Sequence, residues 1–151
     1  MFKKALLSTA LLLLASSSFA DVYFISITGA GGAVNGVQMA LFEANASSVY
    51  GVQFPLAGCA RANDVNGVQL APIAYCKTGS LSGVQCSVPV NVADAASGLQ
   101  LALVNVSHSV DGLQFGLVNC ASEGSCVQIG LINVNKGANF PCLPFFNIGG
   151  F

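Results

Sequence analysis

Large apolar residues and small or polar ones alternate along this chain in short bursts, each centred on a glutamine. Val or Leu precedes every one of Gln38, Gln53, Gln69, Gln85, Gln100, Gln114 and Gln128. The residue after the glutamine is Met39, Phe54, Leu70, Cys86, Leu101, Phe115 or Ile129, and the next is small or kinked: Ala40, Pro55, Ala71, Ser87, Ala102, Gly116 or Gly130. Position +3 is large again (Leu41, Leu56, Val88, Leu103, Leu117, Leu131), with Pro72 as the exception. Period two is the mark of a β-strand with two unlike faces. It assigns the large residues at −1, +1 and +3 to an apolar core. The glutamines and small residues then form a flat polar strip.

The bursts recur at a nearly fixed interval. Glycine stands two residues before six of the glutamines, at Gly36, Gly51, Gly67, Gly83, Gly98 and Gly112, and Cys126 takes its place before the seventh. Successive glutamines lie 15, 16, 16, 15, 14 and 14 residues apart, a period too short for a helix pair and suited to one coil of β structure. Asn-Gly, Asp-Gly and Ser-Gly pairs open several units and supply turn chemistry. The last three units place Asn105, Asn119 and Asn133 five residues after the glutamine, read as a corner before a shorter return strand.

The expected fold is all-β: a short parallel β-solenoid of about seven rungs, each 14–16 residues long with two strands. A small antiparallel β-barrel is the alternative. In a stacked array identical amides bond along the axis, with rungs about 4.7–4.8 Å apart, so the glutamines read as a structural ladder. A flat ligand-binding strip is the other reading of them. Residues 34–137 carry the repeat. Residues 21–33 read as a starter strand and Gly-rich turn, and residues 138–151, with Pro141, Pro144 and several Phe, as a cap that ends the ladder.

The first 20 residues have a different character. Lys3 and Lys4, the apolar run Ala5 to Ala15 and the small residues of Ser18-Phe19-Ala20 read as a signal peptide cleaved after Ala20. Export is the expectation, to the periplasm, outer membrane or cell surface.

Composition narrows the function classes. The chain is 54% hydrophobic and 7% charged, against about a quarter charged in ordinary soluble domains. After the leader, Arg61, Lys77 and Lys136 face six carboxylates, Asp21, Glu43, Asp64, Asp94, Asp111 and Glu123, for a net charge of −3. That balance argues against nucleic acid as a partner. It points to self-association, an envelope partner or membrane contact. Arg61, Lys77, His108 and Lys136 each stand eight residues past their glutamine, so counting predicts one charged edge, read as a solvated row of turns or as an edge for an ionic partner.

All six cysteines follow the leader, and an even number in an exported chain favours disulfides over metal. Cys59 with Cys76 and Cys120 with Cys126 are the pairings that stacking and a polar turn suggest, leaving Cys86 with Cys142. Free thiols filling small core sites are the alternative. No catalytic constellation is present: His108 has Ser107 and Ser109 beside it, but neighbouring strand residues point to opposite faces. The Gly29-Ala30-Gly31-Gly32 run opens no helix that would cradle a phosphate. No cofactor, metal or small-molecule substrate is expected, and no enzymatic activity.

Units such as Gly98-Leu99-Gln100-Leu101-Ala102-Leu103-Val104-Asn105 and Gly112-Leu113-Gln114-Phe115-Gly116-Leu117-Val118-Asn119 resemble those of a bacterial surface-repeat protein family. The resemblance extends over residues 34–151 and is strongest after Gly98. It implies an exported, surface-associated repeat protein with no catalytic residues. Gln114-Phe115-Gly116-Leu117-Val118-Asn119 and Gln128-Ile129-Gly130-Leu131-Ile132-Asn133 are also similar to the Gln-x-Gly-x-x-Asn units of curli-type amyloid subunits. Three functions follow as expectations, in this order: a non-enzymatic envelope scaffold, a self-assembling amyloid-like fibre subunit, and an outer-membrane β-barrel.

Overall fold

The computed structural model describes residues 26–28 and 32–150. The leader, most of the starter strand and Phe151 lie outside the described residues. The described chain runs through β1 (Ser26–Thr28), β2 (Ala33–Pro55), β3 (Ala60–Ala71), β4 (Cys76–Ser87) and β5 (Val90–Leu101). It continues through β6 (Val104–Phe115), β7 (Val118–Glu123), β8 (Cys126–Asn135) and β9 (Cys142–Gly149). Strands stack in chain order in one sheet, every pairing parallel except the last, and β6 pairs with both β7 and β8 because one coil there is split into two strands. The result is a β-solenoid of about six turns. Its parallel pairing is the geometry of a coil and excludes the antiparallel barrel.

The repeats stack in register. Gly51 lies beside Gly67, Val52 beside Val68 and Gln53 beside Gln69, and the same triplets continue through β4. Each long strand bends at its glycine, giving two legs: a longer one ending at the glycine and a shorter one beginning after it. Gly112 shows what a side chain would meet there. Its φ is 151°, and a Cβ would lie 2.1 Å from the carbonyl oxygen of Gly98 below. The coil is closed at the far side by a turn whose length sets the spacing. Residues 56–59 and 72–75 make four-residue turns in the 16-residue units, whereas residues 88–89, 102–103 and 116–117 make two-residue turns in the units of 14 or 15.

The faces are inverted relative to the expectation from alternation. Gln53, Gln69, Gln85, Gln100, Gln114 and Gln128 are fully buried, and Gln38 nearly so. Leu103, Leu117, Leu131 and Phe115, assigned to the core by their hydrophobicity, are about half exposed. The real core holds the glutamines, the asparagines and a column of Val34, Val49, Val65, Leu81, Ala96 and Val110. Amides that bond along the axis satisfy one another there, so their burial leaves few polar groups unpaired.

The last residues cap the column as expected from their prolines and aromatics. β9 turns back and pairs antiparallel with β8, Gln128 beside Asn147 and Val134 beside Cys142.

Candidate functional site

Two amide ladders run through the core in opposite senses. Each glutamine Nε2 donates to the Oε1 of the glutamine one coil earlier, from Gln53 to Gln38 at 2.9 Å through to Gln128 to Gln114 at 2.8 Å. The asparagines donate the other way: Asn91 to Asn105 at 3.0 Å, Asn105 to Asn119 at 2.9 Å and Asn119 to Asn133 at 2.8 Å. Cross-core bonds tie in the backbone, as where Asn105 also donates to the carbonyl of Phe115 at 2.9 Å. The small residue at +2 makes room for this. A Cβ on Gly116 would meet the Asn105 amide at 2.9 Å. The asparagine ladder was legible only in part. Its first member, Asn91, lies six residues past its glutamine and so escaped the count of five.

The ladders end on unpartnered acceptors. Gln128 Oε1 and Asn91 Oδ1 are buried without a donor. Asn91 starts its ladder because the position below it is Cys76, which turns its thiol toward the carbonyls of Gln69 and Cys86. Gln128 ends the other ladder beneath Asn147, whose own amide donates to Phe140 and Asn133 carbonyls instead.

The cations do not form a single edge. Arg61 lies beside Lys77, and that column continues through Val92, Val106 and Cys120. His108 falls two columns over, beside Asp94, because Ala93–Ser107 and Ala95–Ser109 are the flanking pairs. Lys136 shares the His108 column, two coils on. The two longer turns displace the count of eight by two residues, which moves Arg61 and Lys77 out of line. Arg61 pairs with Glu43 and with the Tyr75 hydroxyl, and its guanidinium stands 5.3 Å from the Tyr75 ring centre. The Tyr75 hydrogen bond holds its pKa above the ordinary value. An open hollow of about 610 Å³ lies there, between Arg61, Lys77, Asn63 and Asp94. His108 is exposed, and no cluster of three or more potential metal-ligating side chains occurs among the described residues.

None of the expected disulfides is formed: all six cysteines are free. Cys120 faces outward between Val106 and Val134, whereas Cys126 takes the glycine corner and is buried between Gly112 and Gly149. Cys59 lies level with Tyr75, while its expected partner Cys76 is buried in the asparagine column. Cys86 on β4 and Cys142 on β9 stand five strands apart, on the order of 24 Å, far beyond the ~7 Å Cα limit for a disulfide. Burial pushes the Cys76 thiol well up, and pushes Cys126 up to about 11, with Asp111 adding to the effect. Cys120 is also raised by burial, with Cys142 adding and Lys136 opposing.

A second surface feature is one that alternation concealed. Position +3 lies on the turn edge, and there Leu41, Leu56, Val88, Leu103, Leu117 and Leu131 are exposed in a column that Pro72 interrupts between Leu56 and Val88. Over the last four coils a groove of about 560 Å³ runs between this column and the +1 residues Leu101, Phe115 and Ile129. Phe145 of the cap closes its end, and no charged side chain lines it. The signal available in sequence was the size of each position across the repeats. The inward glutamine position is Gln in all seven repeats, while outward +1 varies among Met, Phe, Leu, Cys and Ile.

Compared with protein-family models, with curated proteins and with solved structures, the chain matches none.

Proposed function

We propose that this chain is an exported, non-enzymatic repeat protein that serves as a structural or interaction scaffold at the cell envelope. The observation that carries the reading is the buried ladder of seven glutamines. It makes the interior a bonded polar spine and leaves function to the outer faces of a rigid column. The leader pattern of Lys3, Lys4 and Ala5 to Ala15 supports export, and the likeness to bacterial surface-repeat units supports placement at the surface. Fractionation of the mature chain into soluble, membrane and detergent-insoluble pools of its host tests this. Recovery with the envelope or outside the cell is the expected result; recovery in the cytosol with its leader attached overturns it.

A fibre subunit is the second reading. It is favoured by Gln128 Oε1, a buried ladder acceptor without a donor at the C-terminal end of the repeat. A further chain stacked on that end in place of β9 would supply one.

A further inference from the structure

We infer that two copies of this chain pair side by side through the leucine edge, the ridge of +3 residues of each copy seated in the groove of the other. The edge has the shape for this. Val88, Leu103, Leu117 and Leu131 project as a ridge, the outward +1 residues Leu101, Phe115 and Ile129 form the facing wall, and a channel floored by the backbone of the +2 residues between them runs beside the ridge. A second copy has its knobs at the same ~4.8 Å rung spacing, so every residue of the ridge meets an equivalent place in the channel. A two-fold axis parallel to the column seats both ridges at once and closes the assembly at two chains.

The area fits a pair. With roughly 200 Å² for a large apolar side chain, the exposed fractions of Val88, Leu103, Phe115, Leu117, Leu131 and Phe145 give on the order of 650 Å² per chain. Leu41, Leu56 and Ile73 along the same edge raise this to about 950 Å², against about 800 Å² per partner in a standard stable interface. An isolated apolar face this large is unusual on a monomer.

Phe145 points the same way. It is the one non-glycine residue with positive φ among the described residues, at 66°, a conformation unfavourable for a bulky side chain. That backbone sets its ring, 70% exposed, at the end of the groove. Strain retained to hold an aromatic ring on the surface marks a contact site. A lipid surface fits less well, because interfacial apolar faces are flanked by Lys and Arg. Here Arg61 and Lys77 lie in a column of the longer leg, and the groove has no cation.

The test is sedimentation equilibrium of the mature chain, with its thiols kept reduced. Wild type is expected at twice the monomer mass, and the Leu103→Asp/Leu117→Asp double variant at the monomer mass with its strand circular dichroism unchanged. Phe145→Asp, on the cap and outside the repeat, is expected to shift the equilibrium toward monomer in the same way and decides the matter if the double variant loses its strand signal. A monomeric wild type overturns the pairing, as does a dimer that persists in the folded variants. Wild type that floats as a monomer with uncharged phosphatidylcholine vesicles overturns it in favour of a lipid-facing edge. The pairing concerns the chain itself and holds whichever compartment contains it.

Discussion

Gln114 donates its side-chain amide to Gln100, one coil toward the N-terminus, across 2.8 Å. On the other side of the same core the asparagine amides donate toward the C-terminus, as from Asn105 to Asn119. Stacked amides carry aligned dipoles, and the three asparagine bonds of opposite sense offset part of the dipole of the six glutamine bonds along the axis.

The ladder predicts a graded response to removal of single amides. Gln69→Leu deletes the only side-chain donor to Gln53 Oε1 among the described residues and leaves a buried acceptor orphaned. Gln114→Leu is milder, since Gln100 Oε1 keeps the Ser107 hydroxyl and Gln128 Nε2 keeps the Val134 carbonyl. Urea unfolding should show losses of about 3 kcal/mol for Gln69→Leu and about 2 kcal/mol for Gln114→Leu. Equal losses, or a gain from either leucine, would show that hydrogen bonding does not hold these side chains in the core.

The inverted faces predict opposite outcomes for two acidic substitutions seven residues apart. Leu117→Asp puts a carboxylate on the exposed edge and should change monomer stability by no more than about 1 kcal/mol. Val110→Asp puts it where the side chain is fully buried and should abolish the fold. Far-UV circular dichroism of the two variants distinguishes them; loss of strand signal in Leu117→Asp together with its retention in Val110→Asp would reverse the assignment of faces.

Gly36 to Gly112 and the seven glutamines made the coil legible, because period and turn chemistry are local properties of the chain. The Pro- and Phe-rich tail likewise read as a terminator, and β9 is one. Which face pointed inward was not legible from hydrophobicity. Alternation is symmetric between the two faces, and the usual assumption that leucine is buried fails where stacked amides satisfy one another inside and Leu103 and Leu117 take the outer edge. Column membership was also lost to counting. The turns at residues 56–59 and 72–75 add two residues, so Arg61 and Lys77 share an offset of eight with His108 and yet stand in a different column.

The buried thiols predict alkaline destabilisation with a defined sign. Cys126 holds its proton up to about 11 in the folded chain against an ordinary 9.0. Between those values the unfolded chain loses the proton and the folded chain keeps it, which favours unfolding. This contribution to stability is complete below pH 9 and disappears as pH rises toward 11. Cys126→Ala should therefore flatten the fall of the urea midpoint across that window. Thiol labelling at neutral pH should reach exposed Cys142 first and Cys76 and Cys126 only on unfolding. A wild-type midpoint that rises between pH 9 and 11, or immediate labelling of Cys126, would contradict its buried position.

The cap separates a closed column from a fibre. β9 lies along the free edge of β8 and covers the buried Gln128 and Asn133 at the end of both ladders. Deleting residues 140–151 leaves an open strand edge with two ladder ends exposed, a template on which another chain adds in register. The truncated chain should form thioflavin-positive oligomers that grow along the column axis beyond two chains, at concentrations where the full chain does not. Equal growth by the full chain would move the fibre reading ahead of the scaffold. If neither chain grows, the unpartnered acceptor of Gln128 recruits nothing, and the column ends because its last coil is stable alone.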